Sequence, residues 1–148
     1  MSRSNGAMLL NLGLNKDYAM INILLVDDEK IEAKLVDLAL RKTIGKGFQL
    51  DFALNVNQAL EHLKSKSYDL ILLDNLLPRG ISAKNTLPII APHKGNADIA
   101  IISSLIDQDR LRSEVGVYID DIVEKFYLKE YFLEKFKPIS PNAAMQNG

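Results

Sequence analysis

The segment Asp69-Leu70-Ile71-Leu72-Leu73-Asp74-Asn75-Leu76-Leu77-Pro78 decides how the chain is read. Its short apolar run, Leu70 to Leu73, is bounded by polar residues and predicts a strand buried on both faces. A charge within such a strand is expensive to desolvate, but at the carboxyl end Asp74 can face solvent. Pro78 then forces a turn. Ligands of open parallel sheets bind at that edge. Asp74 is therefore a candidate functional carboxylate, and the rest of the chain is searched for groups that could meet it.

Before it, Ile21 to Val26 predicts a first buried strand that ends on Asp27-Asp28-Glu29. A helix follows over about Lys30 to Lys42, with Ile31, Leu35, Leu38 and Ala39 on one face. Gly45 and Gly47 close it. Phe48 to Leu54 alternates and predicts a half-buried strand, suited to an edge. Asn55 and Gln58 can form a capping box for a helix carrying Ala59, Leu60 and Leu63 that ends near Ser65.

After the central strand, a loop through Pro78, Arg79 and Gly80 leads to a third helix over 83–91, which Pro88 and Pro92 oppose. Ile99 to Ile102 is a buried strand ending on Ser103-Ser104. Asp107 to Val115 is a charged helix stopped by Gly116. Tyr118 to Val123 is a fifth strand with Lys125 at its end. Leu128, Phe132 and Phe136 mark a final helix, and Phe126, Phe132 and Phe136 are expected to be core. His62 and His93 are expected at the surface.

Five strands alternating with helices predict an α/β fold: a three-layer, doubly wound five-stranded parallel sheet of the flavodoxin-like type. Residues 20–137 are expected to form the domain. Residues 1–19 are an extension with weak periodicity, left open between an accessory segment, an upstream start before Met20 and a disordered stretch; residues 138–148 are a polar tail expected to be disordered.

Composition narrows the function. The 148 residues suit one domain, and 47% hydrophobic content supplies a core. A formal net charge of −1 gives no bias toward nucleic acid. Cysteine is absent, which excludes disulfides and thiolate metal sites. No apolar run approaches the roughly 20 residues of a membrane span. The expectation is a cytoplasmic protein with no membrane insertion.

Parallel strands bring Asp27, Asp28, Asp74, Ser103 and Lys125 to one edge. Three close carboxylates repel unless a cation or proton compensates. Mg²⁺ suits this oxygen-rich set, because it takes one or two carboxylates and leaves room for phosphate oxygens. Ser103 can donate a hydrogen bond, and Lys125 supplies a positive charge for a phosphoryl group.

Val26-Asp27-Asp28, Leu73-Asp74 with Pro78, Ser103-Ser104 and Asp120-Asp121-Ile122-Val123-Glu124-Lys125-Phe126 together resemble the receiver domain of two-component response regulators (CheY-like), over about Ile21 to Lys137. The resemblance implies that Asp74 accepts a phosphoryl group from a sensor histidine kinase or a histidine phosphotransfer protein. It implies that Asp27, Asp28, Asp74 and the backbone carbonyl of Leu76 hold Mg²⁺. It assigns Ser103 as the switch hydroxyl and Lys125 as the phosphoryl's ion partner. The chain would signal to an unidentified effector protein as a stand-alone receiver, with no direct nucleic-acid binding and no reaction beyond its own phosphorylation and dephosphorylation. Homodimerisation through the signalling face is left open.

The chain also departs from the family pattern. Phe126 stands where proline usually follows the lysine, and a cis bond before a non-proline costs about 2.5–4 kcal/mol. The expectation is a trans bond with an altered loop or a strained cis one. Ile122 replaces the usual aromatic residue. Gly116 lies far from Asp120-Asp121, so a longer loop is expected before the fifth strand. Leu76 and Leu105 are apolar flanks that position no attacking water, which predicts slow self-dephosphorylation. The alternative class is a receiver-like interaction module that works without phosphorylation.

Overall fold

The computed structural model describes residues 20–77, 80–104 and 108–137. The expectations made for residues 1–19 and 138–148, and for Pro78, Leu105 and Asp107, lie outside them. The described elements are β1 (Ile21–Val26), α1 (Lys30–Ile44), β2 (Phe48–Ala53), α2 (Val56–Ser65), β3 (Leu70–Asp74), β4 (Leu76–Leu77), β5 (Ile81–Ser82), α3 (Ala83–Ile90), β6 (Asp98–Ser103), α4 (Gln108–Val115), β7 (Asp121–Glu124) and α5 (Leu128–Lys135).

β2, β1, β3, β6 and β7 form a five-stranded sheet in that order, and every pairing is parallel. The expected doubly wound sheet is present. β3 lies at its centre, and β2 lies at an edge, as its half-polar alternation predicted.

Each central strand sends alternate residues to opposite layers. Ile23, Leu25, Leu70, Leu72, Ala100 and Ile102 pack with α1 and α5 through Val36, Leu40, Leu128 and Phe132. Leu24, Val26, Ile71, Leu73, Ile99 and Ile101 pack with α2, α3 and α4 through Ala59, Leu87, Ile90 and Val115. Burial on both sides is why these strands read as unbroken apolar runs.

Helix α1 corrects the sequence reading. Its period is helical, but its inner face is Val36, Ala39 and Leu40. Ile31, Leu35 and Leu38 are each about half exposed. Only Ala39 of the expected face is buried. The helix carries two apolar stripes, and the sheet with α5 takes the one that continues through position 32.

Other corrections are local. At the start of α2, Asn55 accepts from the Gln58 N–H at 2.9 Å, but the Gln58 side chain accepts from Leu54 N rather than Asn55 N. The capping box is thus spread over one more residue. Pro88 sits inside α3, which ends at Ile90 and continues as a 3₁₀ turn, Ala91–His93. In so short a helix Pro88 removes only one backbone hydrogen bond. A small antiparallel hairpin, β4–β5, stands where only a loop was expected.

β7 begins at Asp121, not Tyr118, because Gly116–Tyr118 forms a 3₁₀ turn. Asp120 then fixes the entry: its N–H donates to Ile99 O at 2.8 Å, and its Oδ2 accepts from Ile99 N–H at 2.9 Å. Phe132 is fully buried, but Phe126 is 86% exposed and is no part of the core. His62 is half-buried rather than superficial, lying 3.3 Å from Phe52 O and 3.4 Å from the Tyr68 hydroxyl.

Candidate functional site at the carboxyl edge of the sheet

β1 and β3 pair in register, Val26 opposite Leu73, so Asp27 and Asp74 leave the sheet side by side. Asp27 is 1% exposed and Asp74 8%. Asp28 is exposed. Carboxylate oxygens of Asp27, Asp28 and Asp74 all lie within 4.8 Å of one another, a group able to hold a metal ion.

Asp27 Oδ1 also accepts the Glu29 N–H at 2.9 Å, turning the chain into α1. The same carboxylate therefore shapes the turn and faces the site. Leu76 N–H approaches Asp74 Oδ1 at 3.4 Å, and the Leu76 side chain is exposed beside the site.

Lys125 follows β7 directly. It opens a 3₁₀ turn, Lys125–Tyr127, and no described peptide bond is cis. The Lys125–Phe126 bond is trans with an altered loop, the first of the two expected outcomes. Lys125 Nζ lies 3.9 Å from Asp74 Oδ1. It donates at 2.9 Å to Glu32 Oε1. Ser103 is buried at the end of β6, one position beyond Ile102, which pairs with Asp74.

The structure brings the Asp27, Asp28, Asp74 and Lys125 side chains together, and topology puts Ser103 on the same edge. It adds Glu32, which the sequence reading missed. Had α1 been phased on Val36, Ala39 and Leu40, Glu32 would have fallen four residues before Val36 on the inward stripe.

Burial of carboxylates governs the electrostatics. Burial, chiefly, pushes Asp27 up to about 7. The Glu29 N–H and Lys125 act against that rise, and Asp74 and Glu32 add to it. Burial likewise raises Asp74, with Lys125 and the Leu76 N–H opposing. Lys125 is held above the ordinary lysine range: burial lowers it, but the Glu32 hydrogen bond and the Asp74 charge more than offset that. Among the described residues, buried Asp27 and Asp74 with exposed Asp28 face one ammonium, Lys125, and that set fits a divalent cation with oxygen ligands.

A family model described as the response regulator receiver domain matches residues 23–137. The chain belongs to that family.

Solved structures agree with the assignment. This receiver is 30% identical to the response regulator protein TrrA of Thermotoga maritima, solved in complex with Mg²⁺ and BeF. That match covers 80% of this chain and 97% of the other, with a TM-score of 0.60. A second Thermotoga maritima response regulator is 25% identical over 80% of this chain and 95% of its own, with a TM-score of 0.66. A Burkholderia pseudomallei response regulator, solved with a phosphorylated aspartic acid and a calcium ion, shares the fold: 19% identity, 86% and 71% coverage, TM-score 0.65.

Proposed function

We propose that this receiver accepts a phosphoryl group on Asp74 from a histidine kinase or histidine phosphotransfer protein and passes the signal on by protein contact. One observation carries the reading: three carboxylates converge within 4.8 Å, with the Lys125 ammonium 3.9 Å from one of them. The metal and fluoride bound by TrrA, and the phosphorylated aspartic acid of the Burkholderia protein, support it by likeness.

In this reading Asp27, Asp28 and Asp74, with the Leu76 carbonyl, hold Mg²⁺. When bound, the ion neutralises charge that builds on the transferring phosphoryl oxygens. An Asp74 oxygen attacks phosphorus, and the bond from phosphorus to the donor's leaving atom breaks with its electron pair. Lys125 then pairs with a phosphoryl oxygen, and the Ser103 hydroxyl donates to another. Those contacts exist only in the phosphorylated state, so they shift a pre-existing equilibrium. The chain promotes its own phosphorylation and dephosphorylation and no other reaction.

The outer stripe of α1 supports a protein partner. Ile31, Leu35 and Leu38 form an exposed apolar row on the helix that starts beside Asp28. Such a row is a surface at which a protein contact can form.

Acetyl phosphate with Mg²⁺, read by intact mass, tests the reading. The wild type should gain about 80 Da, one phosphoryl group on a carboxylate. Asp74→Asn should gain nothing. No Asp74-dependent adduct from acetyl phosphate or from a kinase would favour the interaction module that works without phosphorylation.

A further inference from the structure

Lys125 lies within ion-pair reach of both Glu32 and Asp74, and it is closer to Glu32. Its short contact is the 2.9 Å hydrogen bond to Glu32, and Asp74 Oδ1 is a further ångström away at 3.9 Å. Both side chains of the pair are largely buried, with 23% and 16% exposed. Glu32 sits in the first turn of α1, on the stripe that Val36, Ala39 and Leu40 anchor to the sheet. Lys125 is carried by a four-residue strand and a 3₁₀ turn. The better-anchored partner sets where the ammonium rests.

We infer that Glu32 is a positioning residue that holds Lys125 away from Asp74 until a phosphoryl group draws it across. This deepens the phosphoacceptor reading and rests on it. With acetyl phosphate, the donor's P–O bond breaks, acetate leaves with the electron pair, and an Asp74 oxygen bonds phosphorus. No proton moves. Lys125 keeps its charge and trades the Glu32 carboxylate for a phosphoryl oxygen. Glu32 is left as a largely buried anion without its cation, an unfavourable change that falls only on the phosphorylated state. Glu32 thus sets how strong a donor, or how high a donor concentration, is needed to fill Asp74.

The test uses beryllofluoride as the phosphoryl mimic at saturating Mg²⁺, with Glu32→Gln, Glu32→Asp and Asp37→Asn compared to wild type. Glu32→Gln should tighten beryllofluoride about fivefold, because the competing ion pair is gone. Glu32→Asp, which keeps the charge on a shorter arm, should fall between. Asp37→Asn removes the same net charge from an α1 residue paired with Arg41 and should change affinity by less than about twofold. The side-chain nitrogen resonance of Lys125 gives a second readout. It should move when wild type binds beryllofluoride, and it should already be displaced in free Glu32→Gln.

Unchanged or weakened beryllofluoride binding in Glu32→Gln, or a Lys125 resonance indifferent to that substitution, overturns the inference and leaves the phosphoacceptor reading standing. Failure of wild type to bind beryllofluoride at all sinks that reading, and this inference with it.

Discussion

The anionic half of the site, on β1 and β3, and its cationic arm, on β7, reach the same edge by different means. On the first side, Val26 runs into Asp27 and Leu73 into Asp74, from strands whose ends are fully buried. The carboxylates inherit the rigidity of a close-packed core. On the other side, β7 has four residues, of which only Val123 is buried, and it gives way at once to a turn bearing the exposed Phe126. Lys125 is placed by ion pairs more than by packing. The anionic half of the site is thus built in, whereas the cationic arm can change partners. The proposed phosphorylation switch needs that division: a fixed acceptor and a movable sensor of its charge.

The largest expected effect breaks the fixed half chemically. Removing Mg²⁺ with a chelator, or replacing Asp27 by Asn, should slow acetyl phosphate labelling of Asp74 at least a hundredfold in time-resolved mass spectra. Labelling at the wild-type rate in Asp27→Asn would place the metal elsewhere.

Packing gives the next contrast. Leu72→Ala, in the centre of β3, should cost about 2–5 kcal/mol in urea unfolding. Phe126→Ser should stay within about 0.5 kcal/mol. Equal losses would mean that the two halves are equally packed and that the contrast is false.

The pH dependence sharpens the electrostatic side. Burial raises Asp27 from 3.8 to about 7 and raises Asp74 as well. Between those values the folded state binds more protons than the unfolded one, so metal-free stability should fall as pH rises from about 4 to about 7. Asp27→Asn keeps an acceptor for the Glu29 N–H but loses the charge. It should flatten that slope and stabilise the metal-free protein by about 1–3 kcal/mol at pH 7.5. A metal-free protein that becomes more stable over that window would contradict the burial argument.

The smallest effect concerns lifetime. The exposed Leu76 offers no group to orient water at Asp74, so the phospho-aspartate should last minutes or longer at neutral pH with Mg²⁺. Leu76→Asn should shorten it several-fold in a mass-monitored decay. Decay of the wild-type adduct within seconds would rule out this role for Leu76.

The same contrast explains what was legible in the sequence. Strands buried on both faces announce themselves, so Ile21–Val26, Leu70–Leu73 and Ile99–Ile102 are visible in the sequence as apolar runs, and the parallel order then locates Asp27, Asp74 and Ser103 at their ends. The phase of α1 was not visible. Ile31, Leu35 and Leu38 are as apolar as Val36, Ala39 and Leu40, and only contact with the sheet and α5 chooses between the stripes. That error hid Glu32. The late start of β7 was hidden too, because Asp120 is tied to Ile99, a partner distant in the chain. Lys125 could be named from its place after a strand. Its short contact to Glu32, a residue 93 positions away, could not.

Reductive trapping after acetyl phosphate treatment, which converts an acyl-phosphorylated aspartate to homoserine, followed by peptide mapping, meets the proposal head-on. The mark should fall on Asp74 alone and only when Mg²⁺ is present. A mark on Asp27 or Asp28, or an unmarked chain after exposure to both acetyl phosphate and a phosphorylated histidine donor, would contradict it.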